Sequence, residues 1–213
     1  MLTVLMPSLN KLVSYDYESI KNKESETIIA QSLKGLIPVK NPELLQVSGI
    51  PGAGKSTYCA KHMLSNYLYL SFDNIMTKLE GYKKELALNG NEIAFKKYEM
   101  VARVIGYELL NRALSLNINI MLEHSGTNNA HLELFKNVKN KGYKTSIDFI
   151  VCDTDLAIKR AKERSIKINR HVPESLIIER ASAYKEYINE YKKITSNINV
   201  LDGANDFAVL KKI

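Results

Sequence analysis

The chain has 213 residues, of which 45% are hydrophobic and 25% charged, with a formal net charge of +7. That balance is typical of a folded globular domain and excludes a disordered or fibrous chain. The length suits one α/β domain, and no apolar run reaches the roughly 18 residues that a membrane helix requires. The opening stretch MLTVLMPSLNKLVSY has neither a basic n-region nor a cleavage site, so a cytoplasmic location is expected. Lysines in KKYE, KNVKNKGYK and YKEYINEYKK are interleaved with acidic and neutral residues, which reads as solvated helix faces and makes a nucleic-acid partner the lesser expectation.

In chain order, residues 1–40 carry one helical pattern, SETIIAQSLKGL, which stops at Gly35 and Pro38, and they are expected as a helical extension to a domain over 41–213. Leu44 to Ser48 is a short apolar strand running into GIPGAGKST, and a helix continues from Ser56. Tyr67 to Ser71 is a second strand, followed by a helix over about 91–115 with Tyr98, Val101, Ala102, Ile105, Leu109 and Ala113 on one face. Asn117 to Glu123 is a third strand, 128–140 a helix ended by Gly142, and Thr145 to Cys152 a fourth strand. A basic helix over about 154–164, a loop IKINRHVPES, a helix over about 174–194 and a last strand at NVL complete the pattern. Strands alternating with helices predict an α/β fold: a parallel five-stranded sheet flanked by helices on both faces. Cys59 and Cys152 sit in apolar runs without metal-ligand spacing and are expected as buried thiols, a disulfide being the lesser alternative.

GIPGAGKST fits the nucleotide-phosphate loop and has the strand before it and the helix after it that this motif needs. Gly49, Gly52 and Gly54 allow backbone conformations that a Cβ would block, and Ala53 completes the turn. The loop amides would face the phosphates, Lys55 would reach the β- and γ-phosphates, and Ser56 would bind Mg²⁺, with Thr57 as a second hydroxyl. Asp73 follows the second strand, at the sheet end where ligands of such folds bind. It can take a proton from an attacking hydroxyl or, in the competing reading, cap a helix beginning at Asn74. Glu123, at the tip of an apolar strand, would hold Mg²⁺ through water or bind the acceptor. Arg160, Arg164 and Arg170 can stabilise a transferring phosphoryl group, although Lys159, Lys162 and Lys167 beside them suit an exposed basic helix. His62, His124 and His131 have no zinc spacing and are expected as surface or supporting residues, while His171 lies in the loop next to Arg170.

The segments GIPGAGKST, LYLSFDN, NIMLEHSGT, GYKTSIDFIVCDTDLAIKRAKER and NRHVPESLIIER, in this order and spacing, resemble the zeta toxin family of phosphate-loop kinases over roughly residues 41–203. The resemblance implies an ATP- or GTP-using, Mg²⁺-dependent kinase whose acceptor is the sugar 3′-hydroxyl of UDP-N-acetylglucosamine. It implies Lys55 as the phosphate-binding lysine, Asp73 as general base, Glu123 as a carboxylate on the sugar-nucleotide or metal side, and Arg160 and Arg170 as lid arginines. An antitoxin-like protein inhibitor is implied as partner. Two segments depart from the family pattern: Leu70-Ser71-Phe72-Asp73 keeps one of two carboxylates, and the lid reads Ile168-Asn169-Arg170-His171-Val172-Pro173. The residues also leave open a polynucleotide or nucleotide kinase, and a nucleotide-binding interaction module without catalysis.

Overall fold

The computed structural model describes residues 17–168 and 172–212. Asn169, Arg170 and His171, at the centre of the expected lid, lie outside the described residues. Two helices, α1 (Tyr17–Ile20) and α2 (Lys23–Leu33), precede β1 (Glu43–Ser48), and α3 (Lys55–Lys61) leads to β2 (Tyr67–Leu70). Helices α4 (Phe72–Lys78) and α5 (Glu80–Ser115) follow, then β3 (Asn119–Glu123), α6 (Asn129–Asn140), β4 (Lys144–Val151), α7 (Thr154–Ile168), α8 (Glu174–Lys192) and β5 (Ile198–Asp202). These five strands are parallel in the spatial order β2-β3-β1-β4-β5, with β1 in the middle.

The sheet has six strands and not the expected five. Ala208–Lys212 returns as β6, antiparallel to β5. Every residue of AVLKK is exposed, so the segment lacks both the burial and the alternation that mark a strand in sequence. Its lysines suit an outer edge that pairs no further. The connecting turn closes with Asp206 and Phe207 both at positive φ, 46° and 61°.

Strand alternation divides the core in two. Ile120 and Leu122 of β3, with Leu68 and Leu70 of β2, join the larger cluster under α5 and α6. Met121 faces the opposite cluster with Val47, Cys59, Ile150 and Ala157, where α3, α7 and α8 cover the sheet and Tyr67 and Tyr69 pack in from β2. The segment before residue 41 enters the larger cluster through Tyr17, Ile28 and Ile29, and Glu26 accepts two hydrogen bonds from Arg112 of α5 at 2.8 Å each.

Helix α5 begins earlier than its apolar periodicity suggested, and it is not continuous. Gly90, at φ 79° and ψ 176°, breaks it. Residues twelve apart in one straight helix would lie about 18 Å apart, yet Lys97 and Glu85 form an ion pair at 2.6 Å and the rings of Tyr82 and Tyr98 meet edge to face. The chain therefore turns back at Gly90 and presents the stretch after it, including Glu99 and Arg103, to the carboxyl end of the sheet.

Candidate active site

All five parallel strands end on one side, and the loops and helices that follow them wall a cleft of about 1090 Å³. The loop after β1 forms its floor. At Gly52, φ is +87° and a Cβ would stand 2.2 Å from the Ala157 carbonyl oxygen; at Gly49, φ is +146° and a Cβ would stand 2.4 Å from that of Ile150. The loop thus lies against β4 and α7 so closely that only glycine fits. Ala53 is buried within it and donates from its amide to Ile50 O. Lys55 spans the loop, its Nζ donating to Gly49 O at 2.9 Å and Ile50 O at 3.1 Å.

Lys55, Ser56, Thr57, Asp73, Glu123, Arg160 and Arg164 all line this cleft. Glu123 is only 8% exposed, and both its carboxylate oxygens are used: Oε1 accepts from Ser56 Oγ at 2.8 Å and Oε2 from the Tyr69 hydroxyl at 2.5 Å. Asp73 occupies the first turn of α4, which begins at Phe72 with Ser71 in the cap position and no side-chain cap bond. The expected cap before Asn74 is therefore not formed. Asp73 instead acts electrostatically on Arg103, supporting the charge of that guanidinium. Arg160 of α7 crosses to the β5–β6 turn, donating from Nη1 to Gly203 O at 2.8 Å. Both cysteines are free thiols, and burial pushes that of Cys59 up to about 12.

Beyond Asp73, the cleft is lined by Glu99 and Arg103 of α5, Ser125 of the β3–α6 loop and Arg180 of α8, none of which stands out in the sequence, and by His124 and His131, expected as surface or supporting residues. Glu99 and Arg103 pair at 2.7 Å, one helical turn apart. His124 and His131 are buried, 5% and 3% exposed, with ring centroids 3.4 Å apart. Burial holds both well below the ordinary 6.5, helped by the nearby charges of Arg103 and Arg180, so both are neutral at neutral pH.

His124 Nε2 lies 3.3 Å from the Tyr107 hydroxyl, and its Nδ1 is buried with no hydrogen-bond partner among the described residues. For His131 the partners assign the tautomer. Asn128 caps α6 by accepting from the His131 amide, which turns its Nδ2 toward His131 Nε2 at 3.1 Å. The His131 proton then sits on Nδ1, facing Ser125 Oγ at 3.3 Å.

At the opposite end, Phe207 lines the cleft beside Gly54 and packs edge to face on Tyr58, which stacks on His62 with centroids 4.2 Å apart. Its only sequence signal is an aromatic soon after the last strand. Arg170 has no described position. No group of three or more His, Cys, Asp or Glu residues suited to a metal ion occurs among the described residues. Nor is any described helix long and apolar enough to cross a membrane.

The zeta toxin family model matches residues 27–211. Comparison with curated proteins gives no match. A solved structure from the PezAT chromosomal toxin–antitoxin system of Streptococcus pneumoniae is similar at 17% identity and a TM-score of 0.72, over 92% of this chain and 83% of that one. The complex of AvrRxo1-ORF1 and ORF2 with ATP is similar at 13% identity and a TM-score of 0.60, over 87% of this chain and 61% of the other. A chain of the Pnkp1/Rnl/Hen1 RNA repair complex is similar at 16% identity and 0.51, over 81% of this chain and 49% of the other. At these identities the structural likenesses establish the shared fold.

Proposed function

The chain belongs to the zeta toxin family, and on that footing we propose that it transfers the γ-phosphoryl group of ATP or GTP to a hydroxyl of a small acceptor, the 3′-hydroxyl of the sugar in UDP-N-acetylglucosamine being the first candidate. One observation carries the reading: Lys55, Ser56, Glu123, Arg160 and Asp73, delivered by different strand ends, line the same cleft. The order β2-β3-β1-β4-β5 puts Asp73 on one side of the phosphate loop and Arg160 with Gly203 on the other. On this reading a nucleotide held on the loop lies between the two sides, with its transferable phosphate within reach of both.

Lys55 and the loop amides hold the phosphates, and Phe207 offers a face for the base. Asp73 orients the acceptor hydroxyl and takes its proton as the oxygen attacks the γ-phosphorus in line and the bond to the β-phosphate oxygen breaks. Arg160, with Arg170 by family resemblance, neutralises charge on the transferring group. The hydroxyl of Ser56 and the carboxylate of Glu123 are hard oxygen donors of the kind Mg²⁺ takes, and these two residues would hold it, Glu123 through water. When bound there, Mg²⁺ supplies charge neutralisation at the β- and γ-phosphates. On the acceptor side, Arg103 and Arg180 favour an acceptor that is itself anionic, as a nucleoside diphosphate sugar is. An antitoxin-like protein that covers the nucleotide side is the proposed partner, by analogy with the PezAT toxin–antitoxin relative.

The test is incubation of purified protein with γ-labelled ATP and Mg²⁺ against separate pools of UDP-sugars, nucleotides and 5′-hydroxyl oligonucleotides, with Lys55→Ala and Asp73→Asn as controls. Label in UDP-N-acetylglucosamine that disappears in both variants is the expected result. Label in oligonucleotides alone would replace the acceptor with a nucleic-acid end. Bound ATP with no labelled product would leave a binding module.

A further inference from the structure

Among the described residues, the Glu123 carboxylate accepts from Ser56 of the phosphate loop and from Tyr69, which comes from the neighbouring strand β2. Parallel register pairs Tyr69 with Met121, and Glu123 stands two residues beyond Met121 on the same face of the sheet. That face is the one covered by α3, so the Tyr69 ring lies beneath the helix that carries Ser56, and its hydroxyl reaches Glu123 Oε2 at 2.5 Å.

We propose that Tyr69 is a positioning residue for the cation: by donating to Glu123 Oε2 it holds the carboxylate so that Oε1 accepts the hydrogen bond of the Ser56 hydroxyl and leaves the Ser56 lone pairs free to coordinate. The polarity follows from the chemistry of the donors. A serine hydroxyl that ligates a cation does so through oxygen, so its O–H must point away, and Glu123 Oε1 accepts that hydrogen bond at 2.8 Å. A carboxyl group buried this deeply needs its second oxygen satisfied as well, or the side chain will rotate away. Tyr69 is a suitable partner because its hydroxyl has a proton to donate and stands 2.5 Å from Oε2. Its hydroxyl is therefore an outer partner of the kind that orients a metal site without touching the metal.

The inference rests on the reading of Ser56 as the cation-binding hydroxyl. It is tested by calorimetric titration of ATP into the full chain over a series of Mg²⁺ concentrations, for the natural protein, Tyr69→Phe, Glu123→Gln and the double variant. Tyr69→Phe is expected to raise the Mg²⁺ concentration for half-maximal tightening of ATP binding by roughly tenfold, with Mg²⁺-free ATP affinity changed less than about twofold. Glu123→Gln should shift the Mg²⁺ requirement in the same direction, and adding Tyr69→Phe to it should change that requirement by less than about twofold, the signature of groups acting through one another. If Tyr69→Phe fails to fold, the comparison of Glu123→Gln with the double variant, which buries no unpaired charge, still decides the matter. A shift equal with and without Mg²⁺, or independent effects of the two substitutions, would overturn the role of Tyr69 alone. A natural protein that binds ATP with no dependence on Mg²⁺ would overturn the Ser56 reading and this inference together.

Discussion

The two ends of the cleft are built on different principles. The end proposed for the phosphate donor is made largely of backbone: a nine-residue loop, glycines pressed against the carbonyls of Ile150 and Ala157, and a turn carbonyl at Gly203 held by Arg160. The end proposed for the acceptor is made of side chains from α4, α5, α6, α8 and the β3–α6 loop, namely Asp73, Glu99, Arg103, His124, His131 and Arg180. Backbone recognition tolerates few residue types at each position and is contiguous in the chain. Side-chain recognition is assembled by topology, so it can be rewritten without disturbing the loop. One fold can in this way keep one donor and exchange acceptors.

The sharpest break between the two ends should come from Asp73→Asn. It keeps the size of the side chain at the start of α4, so ATP affinity should stay within about twofold while turnover falls roughly 10²- to 10⁴-fold, the usual contribution of a general base. Calorimetry and single-turnover transfer measure the two quantities separately, and a parallel fall in both would place Asp73 on the donor side. The complementary break is Gly52→Ala. Its methyl group would meet Ala157 O at 2.2 Å on a backbone at φ +87°, and a strained site of this kind costs about 1–3 kcal/mol. ATP affinity should fall at least about tenfold, a loss of roughly 1.4 kcal/mol, and an unchanged affinity would mean that the loop holds no phosphate.

The same contrast explains what could be read from residues alone. The loop was legible because strand, glycines and helix are adjacent in sequence. Asp73 and Glu123 were legible as carboxylates ending apolar strands, although the cap reading of Asp73 was excluded only by the position of α4. Arg103 was not, because VARVIGYELL presents it as an ordinary partner for Glu99, and only the reversal at Gly90 carries it to the cleft. Nothing periodic in HSGTNNAHL distinguishes a buried histidine from a surface one. The burial of His124 comes from Tyr107, and that of His131 from the way Asn128 starts α6. The edge strand β6 escaped because an exposed strand has no burial pattern to display.

The buried histidines predict a smaller effect, confined to the acceptor end. Both have folded values below 6.5, so below that pH the unfolded chain binds protons that the folded chain does not. Stability should then be full above about pH 6.5 and decline as pH falls, by up to about 1.4 kcal/mol per pH unit for each histidine. Denaturant titrations between pH 7.5 and 5.5 measure the slope, and His131→Gln should reduce it by the share of one proton. A stability that is level across this window would mean that the pair is protonated in the fold.

The smallest effect is expected far from either end, where α2 joins α5. Arg112 donates to both oxygens of Glu26 and to Glu108, and Tyr17 donates to Glu26 as well. The Arg112 guanidinium and the Tyr17 hydroxyl hold the Glu26 carboxyl down at about 2. These side chains are about one-third exposed, so water and salt screen the pair and its net worth is about 1 kcal/mol or less. Arg112→Met should therefore lower the melting temperature by only about 2–4 °C and leave phosphoryl transfer intact, since neither group lines the cleft. The sign with pH provides the check: a depressed carboxyl stabilises the fold above 4.5 and loses that contribution as pH falls toward 2. The difference between Arg112→Met and the natural protein should accordingly be greatest near neutrality and shrink in acid. A variant that loses transfer activity at full stability would instead mean that the amino-terminal helices reach the acceptor end through α5, and the two ends would no longer be separable from the helices that precede them.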